Sequence, residues 1–170
     1  MSLREIRTLP DPVLRRKAKP VSEFNAELQI LVDDMIETMR QAPGVGLAAP
    51  QVGVSSRVIV VEYPIDDEQV DSPKKLYVVI NPEIKAGSTG TESGIEGCLS
   101  IPGLQGEVER DLEVTVKGRT RRGQPIKVKA RGWLARIFQH EIDHLNGVLF
   151  PDRATRVWQP PQEVEQEQEF

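Results

Sequence analysis

The hydrophobic pattern changes period twice along this chain, and that limits the possible folds more than any other feature. Leu28, Leu31, Val32, Met35, Ile36 and Met39 recur at helical spacing and make one apolar stripe on an amphipathic helix. Ser22 or Asn25 offers a cap ahead of it, and Pro43-Gly44 stops it. The runs 57–62 and 76–80 are β-branched, as expected of strands buried on both faces. Residues 112–117 and 126–130 alternate apolar with polar side chains, and the turn-rich stretch 118–125 between them predicts a β-hairpin. Helical period returns over about 133–146, with Gly147 where a C-cap belongs. Asp11-Pro12 suits a short helical turn near the start. Helices and strands do not alternate strictly, so the pattern reads as α+β and not as a doubly wound sheet.

A length of 170 residues suits one domain, placed at 1–158. The Pro-Pro and Glu/Gln-rich stretch 159–170 has too little apolar content to pack and is expected to be a disordered acidic tail. One cysteine excludes an intramolecular disulfide. No apolar run approaches the roughly 20 residues that span a bilayer, and residues 1–5 carry neither a signal core nor a transit composition. A formal net charge of −4 argues against a dedicated nucleic-acid binder. The expectation is a soluble intracellular domain with no membrane or DNA partner.

The second helix carries Gln139-His140-Glu141-Ile142-Asp143-His144, an H-E-x-x-H pattern. Residues four apart share a helix face, so both imidazoles can reach one ion. Glu141 is then placed to serve a metal-bound water as general base, since a divalent ion lowers the pKa of that water toward neutrality. The two histidines of this chain would adopt this spacing with an intervening Glu by chance about once in a thousand arrangements. Two helix histidines without a metal are the plainer alternative. A third ligand is needed, and Cys98 in Glu96-Gly97-Cys98-Leu99-Ser100 is the natural donor, although a lone cysteine is more often a small buried hydrophobe. A thiolate with two imidazoles suits Zn²⁺ or Fe²⁺ and disfavours Mg²⁺ or Ca²⁺. Trp133, Ile137, His140 and His144 step along one face, so the metal side runs into an apolar wall.

Three segments together resemble the peptide deformylase family: Gly44-Val45-Gly46-Leu47-Ala48-Ala49-Pro50-Gln51, then Glu96 to Ser100, then Gln139 to His144. The resemblance reaches to about Phe150 and implies antiparallel β-sheets packed around a central C-terminal helix carrying the H-E-x-x-H. It implies that Cys98, His140 and His144 hold the metal and that Glu141 is the acid/base. It further implies that Gln51 and the backbone N–H of Leu99 stabilise the oxyanion formed when hydroxide attacks a formamide. The family's usual ion is Fe²⁺, for which Zn²⁺, Ni²⁺ or Co²⁺ can substitute. Its substrates are N-formylmethionyl nascent peptides, which implies a bacterial cytoplasmic enzyme with transient ribosome contact.

Val45, Trp133 and Ile137 match positions around the family's methionine pocket. Gly46 and Gly97 are small enough for a peptide backbone to approach, although Gly44 and Gly46 also fit plain turn geometry. Arg136 stands where many bacterial members carry an apolar pocket residue, in a stretch that resembles organelle-type members and their bacterial relatives. It is expected to pair with a carboxylate or, in the lesser reading, to narrow the pocket. Glu96 and Asp143 either orient first ligands or are ordinary exposed carboxylates, with Arg110 as a pairing candidate. The cluster Arg119, Arg121, Arg122, Lys127, Lys129 and Arg131 reads as a solvated hairpin, with ribosomal RNA contact as the minority reading. A zinc-dependent peptidase and a structural metal module are the competing functions.

Overall fold

A computed structural model of the chain describes residues 2–66, 68–69, 71–87 and 90–161. Helix α1 (Ala26–Gln41) begins where the Asn25 side chain accepts a hydrogen bond from the Leu28 N–H at 3.0 Å, so Asn25 and not Ser22 is the cap. Asp11 likewise caps a 3-10 turn at Pro12–Arg15. Five strands, β1 (Gly46–Ala48), β2 (Val58–Pro64), β3 (Lys74–Gly87), β6 (Glu113–Arg119) and β7 (Pro125–Arg131), form one antiparallel sheet in the order β1-β2-β3-β6-β7. Strands β4 (Thr91–Cys98), β5 (Ile101–Asp111) and β8 (Ala154–Trp158) make a second antiparallel sheet in the order β4-β5-β8. Helices α2 (Gly132–Leu145) and α3 (Phe150–Arg153) lie between β7 and β8 in the chain.

The two-residue period of β2 explains the sandwich. Ile59 and Val61 point to one face, where they meet Ala135, Ile137, Phe138, Ile142 and Leu145 of α2. Val58 and Val60 point to the other, against Leu31, Val32, Met35 and Met39 of α1. The sheet is therefore covered on both faces, and β2 is buried throughout its first half as its composition demands. The same expectation for 76–80 holds only for Val79 and Ile80. Leu76, Tyr77 and Val78 are half-buried, because β3 enters the sheet from an exposed end at Lys74 and Lys75.

The hairpin forms as expected, with Lys117 opposite Lys127 and Val116 opposite Val128, and a turn shorter than the sequence suggested. A third cluster, Cys98, Ile101, Val108, Leu149 and Phe150, ties the second sheet to the chain after α2. α2 is buried nearly all round: its apolar side faces the large sheet, and Arg136, His140 and His144 are buried as well. Its C-terminus is closed by Arg57, which donates to the Leu145 carbonyl at 2.9 Å and to Asn146 Oδ1 at 3.0 Å. Gly147 follows with φ 74°, a conformation that suits glycine. Of the expected tail, 159–161 follow β8 without regular structure, and 162–170 lie outside the described residues.

Candidate metal centre

Three chain segments converge on one point. Cys98 ends β4, and His140 and His144 lie one turn apart on α2; all three are buried, and their donor atoms lie within 4.8 Å of one another. Cys98 Sγ stands 3.4 Å from His144 Nε2. Tetrahedral ligation by sulfur at 2.3 Å and nitrogen at 2.1 Å puts such atoms about 3.6 Å apart, so the set fits a single ion.

Protonation favours the same use. Burial lowers the pKa of both imidazoles, strongly so at His144, where the neighbouring His140 adds to the effect. Both rings are therefore held neutral, the form that ligates. His140 Nδ1 lies 2.9 Å from Glu96 Oε1. Burial alone would raise the Glu96 carboxyl, but hydrogen bonds from Arg110 and His140 hold it well below the usual carboxylate range. An ionised carboxylate accepts only, so Nδ1 carries the proton and the lone pair sits on Nε2.

Glu141 is the opposite case. It is fully buried, and neither carboxylate oxygen has a hydrogen-bond partner among the described residues. Burial, and then the charge of Glu96, push its carboxyl well above the ordinary value. It lies against β1 at Gly46, where a Cβ would come within 2.5 Å of Glu141 Oε2. Gly46 is thus required by a close approach and not by a turn. A buried, proton-hungry carboxylate beside a metal-binding set is suited to moving a proton.

The remaining expected residues divide. Gln51 is buried in a second 3-10 turn, Ala49–Val52, its Oε1 fixed by the Ala48 N–H at 2.9 Å. Its Nε2 points at the Cys98 sulfur (3.7 Å) and donates to Ser100 Oγ at 3.1 Å. Leu99 follows Cys98 in the turn between β4 and β5, and Gly97 sits buried in β4 opposite Gln105. Val45 and Trp133 are half-buried beside the α2 core, whereas Ile137 is wholly enclosed within it.

Arg136 pairs, as the leading reading had it: it donates to Glu96 Oε2 at 2.7 Å and to the carbonyls of Val108 and Glu92. With Trp133, Gly94 and Arg110 it also borders a cleft of about 80 Å³. Arg110 grips both Glu96 oxygens and reaches Asp143 at 2.7 Å. Glu96 therefore fixes the His140 ring directly, while Asp143 acts one residue further out, through Arg110. Ser100 was not singled out from sequence; a serine carries no signal of its own beyond its place in the cysteine segment.

A buried Cys-His-His set with an H-E-x-x-H glutamate, held between two antiparallel sheets, defines a metal-dependent hydrolase. The polypeptide deformylase family model matches residues 3–159, and the chain belongs to that family. A peptide deformylase of Halothermothrix orenii is 52% identical over 157 residues, covering 92% of this chain and 97% of its own length. One of Symbiobacterium thermophilum is 52% identical over 169 residues, which cover 99% of this chain and 75% of the relative. The crystal structure of a Thermotoga maritima peptide deformylase superposes with a TM-score of 0.83 at 44% identity, over 92% of this chain and 100% of that one. A Met-Ala-Ser-bound class I type b peptide deformylase from Acinetobacter baumannii gives 0.82 at 42% identity, over 90% and 99%.

Proposed function

We propose that residues 1–158 form a single catalytic domain that removes the N-formyl group from N-formylmethionyl nascent peptides, with Cys98, His140 and His144 holding Fe²⁺. The observation that carries this reading is the juxtaposition of the converging donor set with the buried, unpartnered carboxylate oxygens of Glu141. A divalent ion bound there would supply Lewis-acid activation of water and of the formyl oxygen. Glu141 takes the proton released by the attacking water onto a carboxylate oxygen and delivers it to the departing amine nitrogen. The Gln51 amide and the Leu99 N–H serve as donors to the oxyanion that develops on the formyl group. β1 is an edge of its sheet, so the peptide backbone adds beside Val45 and Gly46, with Gly97, next to Cys98 on β4, leaving room for it. Trp133 bounds the methionine side chain, with Ile137 behind it.

Thiolate and imidazole donors accept Zn²⁺, Ni²⁺ or Co²⁺ as readily, so metal analysis of anaerobically prepared protein decides the ion. No helix of the described residues is long and apolar enough to cross a membrane, and a cytoplasmic setting follows from the substrate. Transient ribosome contact would use the exposed face of the β6–β7 hairpin, where Lys117, Lys127, Lys129 and Arg131 form no ion pair with any described carboxylate. Incubating the anaerobic protein with formyl-Met-Ala-Ser should release formate and a primary amine in equal amounts. Cleavage of an internal bond in an N-blocked peptide, without formate, would establish the zinc-peptidase alternative instead.

A further inference from the structure

The wholly buried Glu96 carboxylate takes two contacts on each oxygen. Oε1 meets His140 Nδ1 at 2.9 Å and Arg110 Nη2 at 2.8 Å. Oε2 meets Arg110 Nε at 2.9 Å and Arg136 Nη1 at 2.7 Å. A carboxylate has about four lone-pair positions, so the set is complete and neither oxygen is free to rotate away. We infer that Arg136 is a positioning residue for the metal centre: by closing the last position on Oε2 it locks the Glu96 plane that orients the His140 ring. This rests on the reading that Cys98, His140 and His144 hold the ion.

The guanidinium is itself fixed from outside the site. Nη1 also donates to the Val108 carbonyl at 2.8 Å and Nη2 to that of Glu92 at 2.7 Å, which ties it to β5 and β4. Trp133 covers it, with Cζ 5.4 Å from the ring centre. Room on the far side exists only because residue 94 is glycine: a Cβ there would stand 2.8 Å from Arg136 Cζ and 2.9 Å from Nε. Arg136 precedes His140 by four residues, so the clamp and the ligand share one helix face. An arginine is needed here, since a lysine ammonium can reach Glu96 but lacks the planar fork that also serves two carbonyls.

The test compares Arg136→Leu, Arg136→Lys and Gly94→Ala with the natural protein, each loaded with Co²⁺. Visible absorption of the bound ion reports ligand geometry, and competition with a chelator gives its affinity. Arg136→Leu should weaken Co²⁺ binding by up to about tenfold, less than the ten- to a hundredfold usual for a direct partner of a ligand histidine because it acts through Glu96, and shift the absorption bands. It should lower kcat with KM changed little. Arg136→Lys should restore part of the spectrum. Gly94→Ala, which keeps the arginine but displaces it, should reproduce the spectral shift, and it decides the matter if Arg136→Leu does not fold. Unchanged Co²⁺ spectra and affinity in Arg136→Leu, or in Gly94→Ala where Arg136→Leu does not fold, whatever the melting temperatures, would overturn the inference and leave Arg136 as a tie between α2 and the second sheet. If the natural protein shows no thiolate–Co²⁺ band at all, the ligand assignment itself fails, and the inference with it.

Discussion

Replacing Gly46 with alanine should damage the chemistry while sparing the metal. The added Cβ would lie 2.5 Å from Glu141 Oε2 and 3.0 Å from both Cδ and Cγ, so turning the carboxylate alone does not clear it. Glu141 is fully buried and has no solvent to swing into. The end of the side chain must therefore retreat by roughly 0.5–1 Å. A misplacement of about 1 Å at a reacting group can cost about a hundredfold in rate. A loss of about ten- to a hundredfold in kcat follows, equivalent to about 1.4–2.7 kcal/mol on the barrier. The three atoms nearest the added Cβ all belong to Glu141 and none to Cys98, His140 or His144, so metal content should stay at the natural level. Formate release from formyl-Met-Ala-Ser, measured across substrate concentrations beside metal analysis of the same samples, separates the outcomes. A natural kcat in Gly46→Ala with its metal intact would refute the packing argument. A raised KM at unchanged kcat would show that Gly46 matters for the peptide backbone and not for Glu141.

Other predictions concern parts of the molecule away from the chemistry. Asp34, buried on α1, accepts from the Ser2 N–H at 2.8 Å and from Arg4 Nε at 2.9 Å. Burial would raise its carboxyl, but those two partners hold it below the ordinary value of 3.8. A depressed folded-state pKa gives stability that is present above the unfolded value and lost as pH falls through the folded one. Asp34→Asn should thus lower the melting temperature at pH 7, and the gap should close in melts taken progressively below pH 3.8; a gap independent of pH would refute this. Reversing charge with Lys127→Glu and Lys129→Glu should weaken salt-sensitive co-sedimentation with ribosomes and leave tripeptide turnover unchanged; equal sedimentation would remove the hairpin as a contact face.

Much of this was legible in the sequence because periodicity and spacing are local. The Leu28 to Met39 stripe became α1, the alternation on either side of residues 118–125 became the β6–β7 hairpin, and the H-E-x-x-H spacing put both imidazoles on one side of α2. β4 and β5 were not legible: Thr91–Cys98 runs from exposed to buried along its length and contains two glycines, so it has no period-two signature. β8, Ala154–Trp158, is placed by pairing with β5, a long-range contact that five residues without a clear alternation do not announce. The donor set was visible through residue types, but the Glu96 clamp depends on Arg110 from β5 and Arg136 from α2, which only the tertiary fold unites. The enclosure of Ile137 has the same origin. Its place on the metal-bearing helix pointed toward a pocket, and in the fold it is wholly buried in the cluster that α2 makes with the large sheet.

On the proposed mechanism Glu141 moves the proton at a metal centre it does not itself build. Glu141→Gln keeps the size of the side chain and removes its basicity. Metal content and formate release should be measured on anaerobically prepared natural and variant protein in parallel. Both should carry one ion per chain, and the variant should lose about a hundredfold or more of the turnover. A variant that releases formate at close to the natural rate, or that loses its metal along with its activity, would rule out Glu141 as the proton carrier.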